Sequence, residues 1–350
     1  MKKQIFFYSI ILLVIVACGQ KKAPDAATEP NTKMIVSGEE WLDTDGNRIN
    51  AHGGGILYHD GTYYWYGEYK GDSTYWNPKV PSWECYRTEA GGVSCYSSKD
   101  LTNWKFEGVV LKPDTTDINS ELHPSNVLER PKIIYNEKTK KFVMWLHVDS
   151  HDYAKAAAGV AISDSPSGNF EYLGSMRPNG QMSRDMTLFK DDDGKAYHIY
   201  SSEENKTLYI SLLTDDYLKP AGQFTRNFID QSREAPAVFK HQGKYYILSS
   251  GCTGWDPNQA EYAVADSMLG EWTVKGNPCS GKDADITFYG QSTNVLKIEG
   301  KENAYIAMFD KWNKTDLINS RYIWLPLHFK ENGEIDIPWQ TEWNIATAFK

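Results

Sequence analysis

Apolar and polar positions along the chain fall into one recurring pattern, a polar turn followed by a short aromatic strand. It runs first through Asp60-Gly61-Thr62-Tyr63-Tyr64-Trp65-Tyr66, then through Lys140-Lys141-Phe142-Val143-Met144-Trp145. It returns at Asp193-Gly194-Lys195-Ala196-Tyr197-His198-Ile199, Gln242-Gly243-Lys244-Tyr245-Tyr246-Ile247-Leu248 and Glu302-Asn303-Ala304-Tyr305-Ile306-Ala307-Met308. Each copy is a hairpin-turn signal leading into residues that favour a pleated strand. A second strand and polar turn follow, as at Ser97-Ser98-Lys99-Asp100-Leu101-Thr102-Asn103-Trp104, Ala161 to Gly168 and Ala265 to Trp272. Five copies at spacings of about fifty to sixty residues predict five four-stranded blades, an all-β, five-bladed β-propeller. It is expected to occupy residues 34–350. The first interval is longer and holds a loop insertion, Lys70 to Gly92. A jelly roll would also be all-β but would not repeat five times, and no long amphipathic helix competes. The innermost strands of a propeller line its axis, so a site there must draw residues from several blades scattered along the sequence.

The first residues break this pattern. Lys2 and Lys3 precede an apolar run, Ile5 to Val16, that is short for a membrane span. It ends at Ile15-Val16-Ala17-Cys18, which resembles a bacterial lipobox. The resemblance implies a signal peptide over 1–17, acylation of Cys18 and a polar tether over 18–33. The expected location is an exported lipoprotein of the outer membrane, touching the membrane through its lipid alone. Export implies an oxidising compartment, so the other four cysteines can pair. Cys252 with Cys279 is the favoured disulfide and Cys85 with Cys95 the second; buried free thiols are the alternative. The net charge is −9 with no basic run, which excludes a nucleic-acid partner. Aromatics make up 13% of the chain, including 12 Trp and 22 Tyr, and flat rings suit the C–H face of a sugar.

Acidic residues leading into apolar strands are costly unless paired or used. One polar candidate falls in each blade: Glu68, Glu129, Asp185, Glu234 and Gln291. Any one of them could be a solvated strand end or half of an ion pair, since Arg130, Arg184 and Arg233 adjoin three of them. Their regular recurrence is what favours a shared site, and converging carboxylates suit glycosidic-bond cleavage.

The motifs Ala51-His52-Gly53-Gly54-Gly55, Tyr64-Trp65-Tyr66-Gly67-Glu68, Glu129-Arg130-Pro131-Lys132, Glu234-Ala235-Pro236 and Arg321-Tyr322-Ile323-Trp324 resemble glycoside hydrolase family 43. They are similar in particular to its exo-β-1,3-galactanase branch, over about Ile35 to Ala348. The resemblance implies an enzyme that releases terminal β-1,3-linked galactose from a polysaccharide with inversion, and a monomer is expected. It makes Glu234 the general acid and Asp185 the residue that tunes and orients it. The Asp that serves as base in most of the family is missing from Ile49 to Gly55, as in the galactanase branch, and the resemblance gives Gln291 the task of holding the water. Glu129 and Glu68 are the alternatives for the base. Glu68, Glu129, Asn205, Thr253 and Trp255 are expected to bind substrate. His52 either contacts sugar or packs near the axis, and the glycines after it are expected to let the backbone pass close to substrate. Rival functions are an α-L-arabinofuranosidase of the same family and a non-catalytic carbohydrate-binding lipoprotein. No metal site or cofactor is expected; Asp191-Asp192-Asp193-Gly194 reads as a hairpin turn, because its spacing does not match a calcium loop.

Overall fold

The computed structural model describes residues 33–71 and 73–349, together with Met1. The expected leader, Cys18 and nearly all of the tether lie outside the described residues. Residues 1–30 and 31–350 separate into two units, and the fold described here belongs to the second.

Five antiparallel four-stranded sheets follow one another along the chain. Blade one is His52–His59, Thr62–Lys70, Ala90–Ser98 and Lys105–Leu111. Blade two is Val127–Asn136, Lys141–Asp149, Ala157–Ser163 and Glu171–Met176. Blade three is Met186–Lys190, Ala196–Ser202, Thr207–Leu213 and Pro220–Asn227. Blade four is Arg233–His241, Lys244–Gly251, Glu261–Ala265 and Thr273–Gly276. Blade five is Gln291–Lys297, Tyr305–Lys311, Arg321–Phe329 and Ile335–Pro338, with Cys279–Ser280 added in parallel at its edge. The first strand of each blade meets the first strand of the next, and blade five meets blade one, so the inner strands close a ring. The expected five-bladed propeller is therefore the observed fold.

The turns that the sequence marks do form. At Asp60 and Gly61, φ is 46° and 73°; both are positive, as a two-residue hairpin turn of the tight, twist-matched kind requires. The Asp191–Asp193 run turns between the first two strands of blade three, with Gly194 N donating to Asp191 O at 3.0 Å. The Lys70 to Gly92 insertion carries its own small ladder, Tyr75–Trp76 on Tyr86–Arg87. Among the described residues the only α-helix is Ile345–Ala348, and no helix is long and apolar enough to cross a membrane.

Strand alternation gives each blade two apolar faces, and each face packs on a neighbouring blade. The core is accordingly five clusters, one at each junction between blades. The junction of blades five and one brings together the first and last strands of the described fold and is the most aromatic. Trp324 packs on Trp41 and Trp65, each with ring centroids 4.9 Å away, and on Trp104 at 6.0 Å. Two short strands, Ile35–Val36 and Glu342–Trp343, pair beside it. Trp324→Ala should lower the unfolding free energy by about 3–5 kcal/mol, from lost burial plus a cavity. Urea denaturation followed by fluorescence checks this; a loss under about 1 kcal/mol would show that the junction does not hold the ring closed.

Candidate active site

A local break in strand register places the key side chains at the axis. The inner strands of blades two and four shift register between Glu129 and Lys132 and between Glu234 and Ala237. At each shift the residue after the glutamate is left-handed, with φ 55° at Arg130 and 52° at Ala235. A proline follows each, and lacking an N–H it donates nothing to the ladder, so a bulge there costs less. Blades one and five shift at the same level, between His52 and Gly55 and between Ser292 and Asn294. The register also aligns a second tier on the neighbouring strands: His52 opposite Glu68, Glu129 opposite His147, Glu234 opposite Ser250, Gln291 opposite Asp310.

These bulges surround a cavity of about 910 Å³, to which every blade contributes. Glu68, Glu129, Asp185, Glu234, Gln291, Asn205, Thr253 and Trp255 all line it, as do Arg130, His147, Trp83 and Trp312. Glu234 is 7% exposed. Burial first, and then the negative charge of Asp185, push its carboxyl up to about 8. Asp185 accepts the Ala235 backbone N–H at 3.1 Å and pairs with the Arg130 guanidinium at 2.9 Å.

Gln291 has every hydrogen-bonding position in use. Its oxygen accepts from Arg130 Nη2 at 2.5 Å and from Trp312 Nε1 at 2.9 Å. Both of those groups can only donate, so the amide orientation is unambiguous. Its nitrogen donates to Glu234 Oε1 at 2.9 Å and to Ser250 Oγ at 3.1 Å. Inverting enzymes hold their acid and base about 6.5–9.5 Å apart. Gln291 instead touches the acid and has no lone pair left for a water.

Glu129 stands differently. Burial would raise it, but the His147 hydrogen bond and charge hold it down to about 2. Its two oxygens meet His147 Nδ1 at 3.2 Å and the Tyr153 hydroxyl at 3.0 Å. His147 bonds Asp149 at 2.9 Å through its other nitrogen. Against the pull of burial, these two carboxylates lift His147 to about 9, so it is an imidazolium at neutral pH. Glu129, His147 and Asp185 present their ligand-type atoms within 4.8 Å of one another. The ring nitrogens of His147 are committed to Glu129 and Asp149, and Asp185 is paired with Arg130, so each member of this group is already in an ion pair. Glu68 is raised by burial, opposed chiefly by Lys70, whose Nζ is 2.5 Å away, and its other oxygen accepts the Arg130 backbone N–H at 3.0 Å.

Three expectations need correction. Cys252 and Cys279 are not bonded: all four cysteines among the described residues are free. Cys252 is exposed on the cavity wall and contacts Glu234, whereas Cys279 is buried in the junction of blades four and five. Cys85 and Cys95 are likewise separate buried thiols. His52 does not reach the cavity. It is fully buried, bonds Asp310 at 3.2 Å and stacks on Tyr322 at 4.8 Å. The glycines after it are not among the residues lining the cavity: a Cβ on Gly54 would stand 1.7 Å from the Tyr66 carbonyl oxygen, and one on Gly55 would meet the Lys132 side chain at 3.0 Å. Residues missed from the sequence are His147, Asp310, Lys70 and Trp312, all near the ends of second strands. Their signal was polar or aromatic character where a repeat's second strand runs out, as in Phe309-Asp310-Lys311-Trp312.

A propeller axis walled by carboxylates, one of them held protonated beside a second acid, defines a glycosidase site. The sequence profile of glycosyl hydrolases family 43 matches residues 55–333, and the chain belongs to that family. It is similar to a family 43 β-1,3-galactosidase solved with galactodeoxynojirimycin, at 45% identity and TM-score 0.83, over 89% of this chain and 100% of that one. It is also similar to the exo-β-1,3-galactanase of Phanerochaete chrysosporium solved with galactose, at 36% identity and TM-score 0.79, over 89% and 68% of the two chains. The exo-β-1,3-galactanase of Clostridium thermocellum matches at 37% identity and TM-score 0.79, over 91% and 68%. No curated protein matches the chain.

Free thiols have a direct test. Denatured without reductant, the protein lacking its first 30 residues should titrate four thiols with a chromogenic disulfide reagent. A count of two would restore one of the expected disulfides.

Proposed function

We propose that this protein is an exo-acting, inverting β-1,3-galactosidase that removes terminal galactose from galactan or arabinogalactan. Support for the sugar comes from the galactosidase and galactanases it is similar to. The observation that carries the mechanism is Glu234, buried at the axis and held protonated to about 8. Its Oε1 accepts from Gln291 Nε2, which fixes the carboxyl in the cavity. A protonated carboxyl in that setting gives its proton to the departing glycosidic oxygen. Asp185 keeps it protonated and, through the Ala235 N–H, fixes the backbone beside it. We assign the attacking water to Glu129, because it is ionised and faces the cavity, while Gln291 is saturated and bound to the acid. Gln291 then serves to orient Glu234.

The sequence also supports a cellular setting. We propose an outer-membrane lipoprotein, acylated at Cys18 and working as a monomer on polysaccharide. Palmitate labelling of the whole chain and of Cys18→Ala tests the anchor; equal labelling of both would refute it.

Release of galactose from β-1,3-galactobiose should be observed, and Glu234→Gln should lower it by about 10²–10⁴-fold. Release of arabinose alone from an aryl α-arabinofuranoside would move the protein to the arabinofuranosidase reading. Binding without any release would make it a carbohydrate-binding protein.

The pH profile follows from the protonated acid. The active form has Glu234 protonated, so kcat/KM should fall as pH rises through about 8. The Gln291 hydrogen bond favours the charged form of Glu234, so Gln291→Ala should move that limb upward. A large fall in kcat with the limb unmoved would return the water to Gln291.

A further inference from the structure

The exposed rim of the cavity contains two charges that the mechanism leaves unused. Arg177 and Asp152 both line the cavity, and both are exposed. Arg177 is held by two backbone carbonyls, its Nε donating to Lys155 O at 3.0 Å and its Nη2 to Ala154 O at 3.1 Å. Nη1 takes no part in those bonds. Asp152 is fixed by the same loop. Its Oδ1 accepts from Ser150 Oγ at 2.5 Å and from Ala154 N at 3.3 Å, which leaves Oδ2. Among the described residues neither side chain is in an ion pair. Apart from Glu234, the other cavity acids contrast with this: Glu68 has Lys70, Glu129 has His147, Asp185 has Arg130 and Glu204 has Arg184. A cation and an anion pinned by one loop without pairing with each other are a preorganised donor and acceptor.

Position and charge together indicate the ligand. An exo-acting site binds the terminal sugar at its floor, where Glu234, Asp185 and Glu129 converge, so the leaving group must extend toward the rim. The cavity, about 910 Å³, is larger than one sugar ring needs. Trp83 and Tyr153, with ring centroids 5.9 Å apart, add an aromatic wall that suits a pyranose face. The two rim charges cancel, which matches a neutral polyol. We propose, on the galactosidase reading above, that Arg177 and Asp152 form a leaving-group subsite for a neutral sugar. Arg177 donates to one hydroxyl and Asp152 accepts from a neighbouring one.

The test separates the two ends of the site. Arg177→Ala and Asp152→Asn are each compared with the wild-type enzyme, using β-1,3-galactobiose as substrate and free galactose as inhibitor of the floor. Each variant should lower kcat/KM for galactobiose by about tenfold, the scale of a hydrogen bond to a charged group. The inhibition constant of galactose should stay within about twofold, because galactose alone fills the floor. A parallel weakening of galactose inhibition, or kcat/KM within about threefold of wild type for both variants, overturns the subsite. Wild-type enzyme that releases nothing from galactobiose removes the galactosidase reading, and the subsite falls with it. Normal wild-type turnover with indifferent variants removes the subsite alone.

Discussion

The site depends on one buried cation, the Arg130 guanidinium. It is 5% exposed, and burial alone would disfavour its charge. Asp185 first and then Glu68 and Asp310 offset that cost. Arg130 reaches Asp185, the Gln291 amide oxygen and the Ser292 carbonyl, the last at 3.1 Å, so it ties blades two, three and five together across the axis. A buried charge of this kind is a poor source of stability but a strict demand on geometry, because removing one partner strands the others. Two side chains at the site, Asp185 and Gln291, are thereby fixed by one neighbour.

Arg130 can do this only because the strand carrying it is irregular. An even ladder would alternate side chains between the two faces of a blade and bury them at the junctions, as happens along most of each strand. The bulges at Glu129 and Glu234 interrupt that alternation and turn polar side chains to the axis. Left-handed backbone at Arg130 and Ala235 is a local strain, of order 1–3 kcal/mol for a non-glycine residue, offset by the packed blades on either side.

The architecture was legible in the sequence because the turn-and-aromatic-strand repeat is local: Asp60-Gly61 and Gln242-Gly243 announce their hairpins within a few residues. The lining residues were legible for a similar reason, since Glu129, Asp185, Glu234 and Gln291 each stand at or just before the start of a blade's first strand, with Glu68 near the end of a second strand. Partnership was not legible. That Gln291 lies on Glu234 rather than away from it depends on contacts 57 residues apart. The thiol of Cys252 faces the cavity while Cys279 lies in a junction, and spacing along the chain carries no such information. His52 shares the inner-strand level of Glu129, yet its imidazole turns into the junction, where Asp310 and Tyr322 receive it.

The short contact between Gln291 and Glu234 also explains why an amide stands at that position. A carboxylate there would lie about 3 Å from the acid, and two such groups cannot both be ionised; they share a proton. In the proposed mechanism the proton meant for the glycosidic oxygen would then belong to the pair, and its release would depend on a neighbour's charge. An amide fills the same space, keeps the same bonds to Arg130 and Trp312, and does not compete for that proton. Neutrality at position 291 is thus a condition for Glu234 to act as an independent acid.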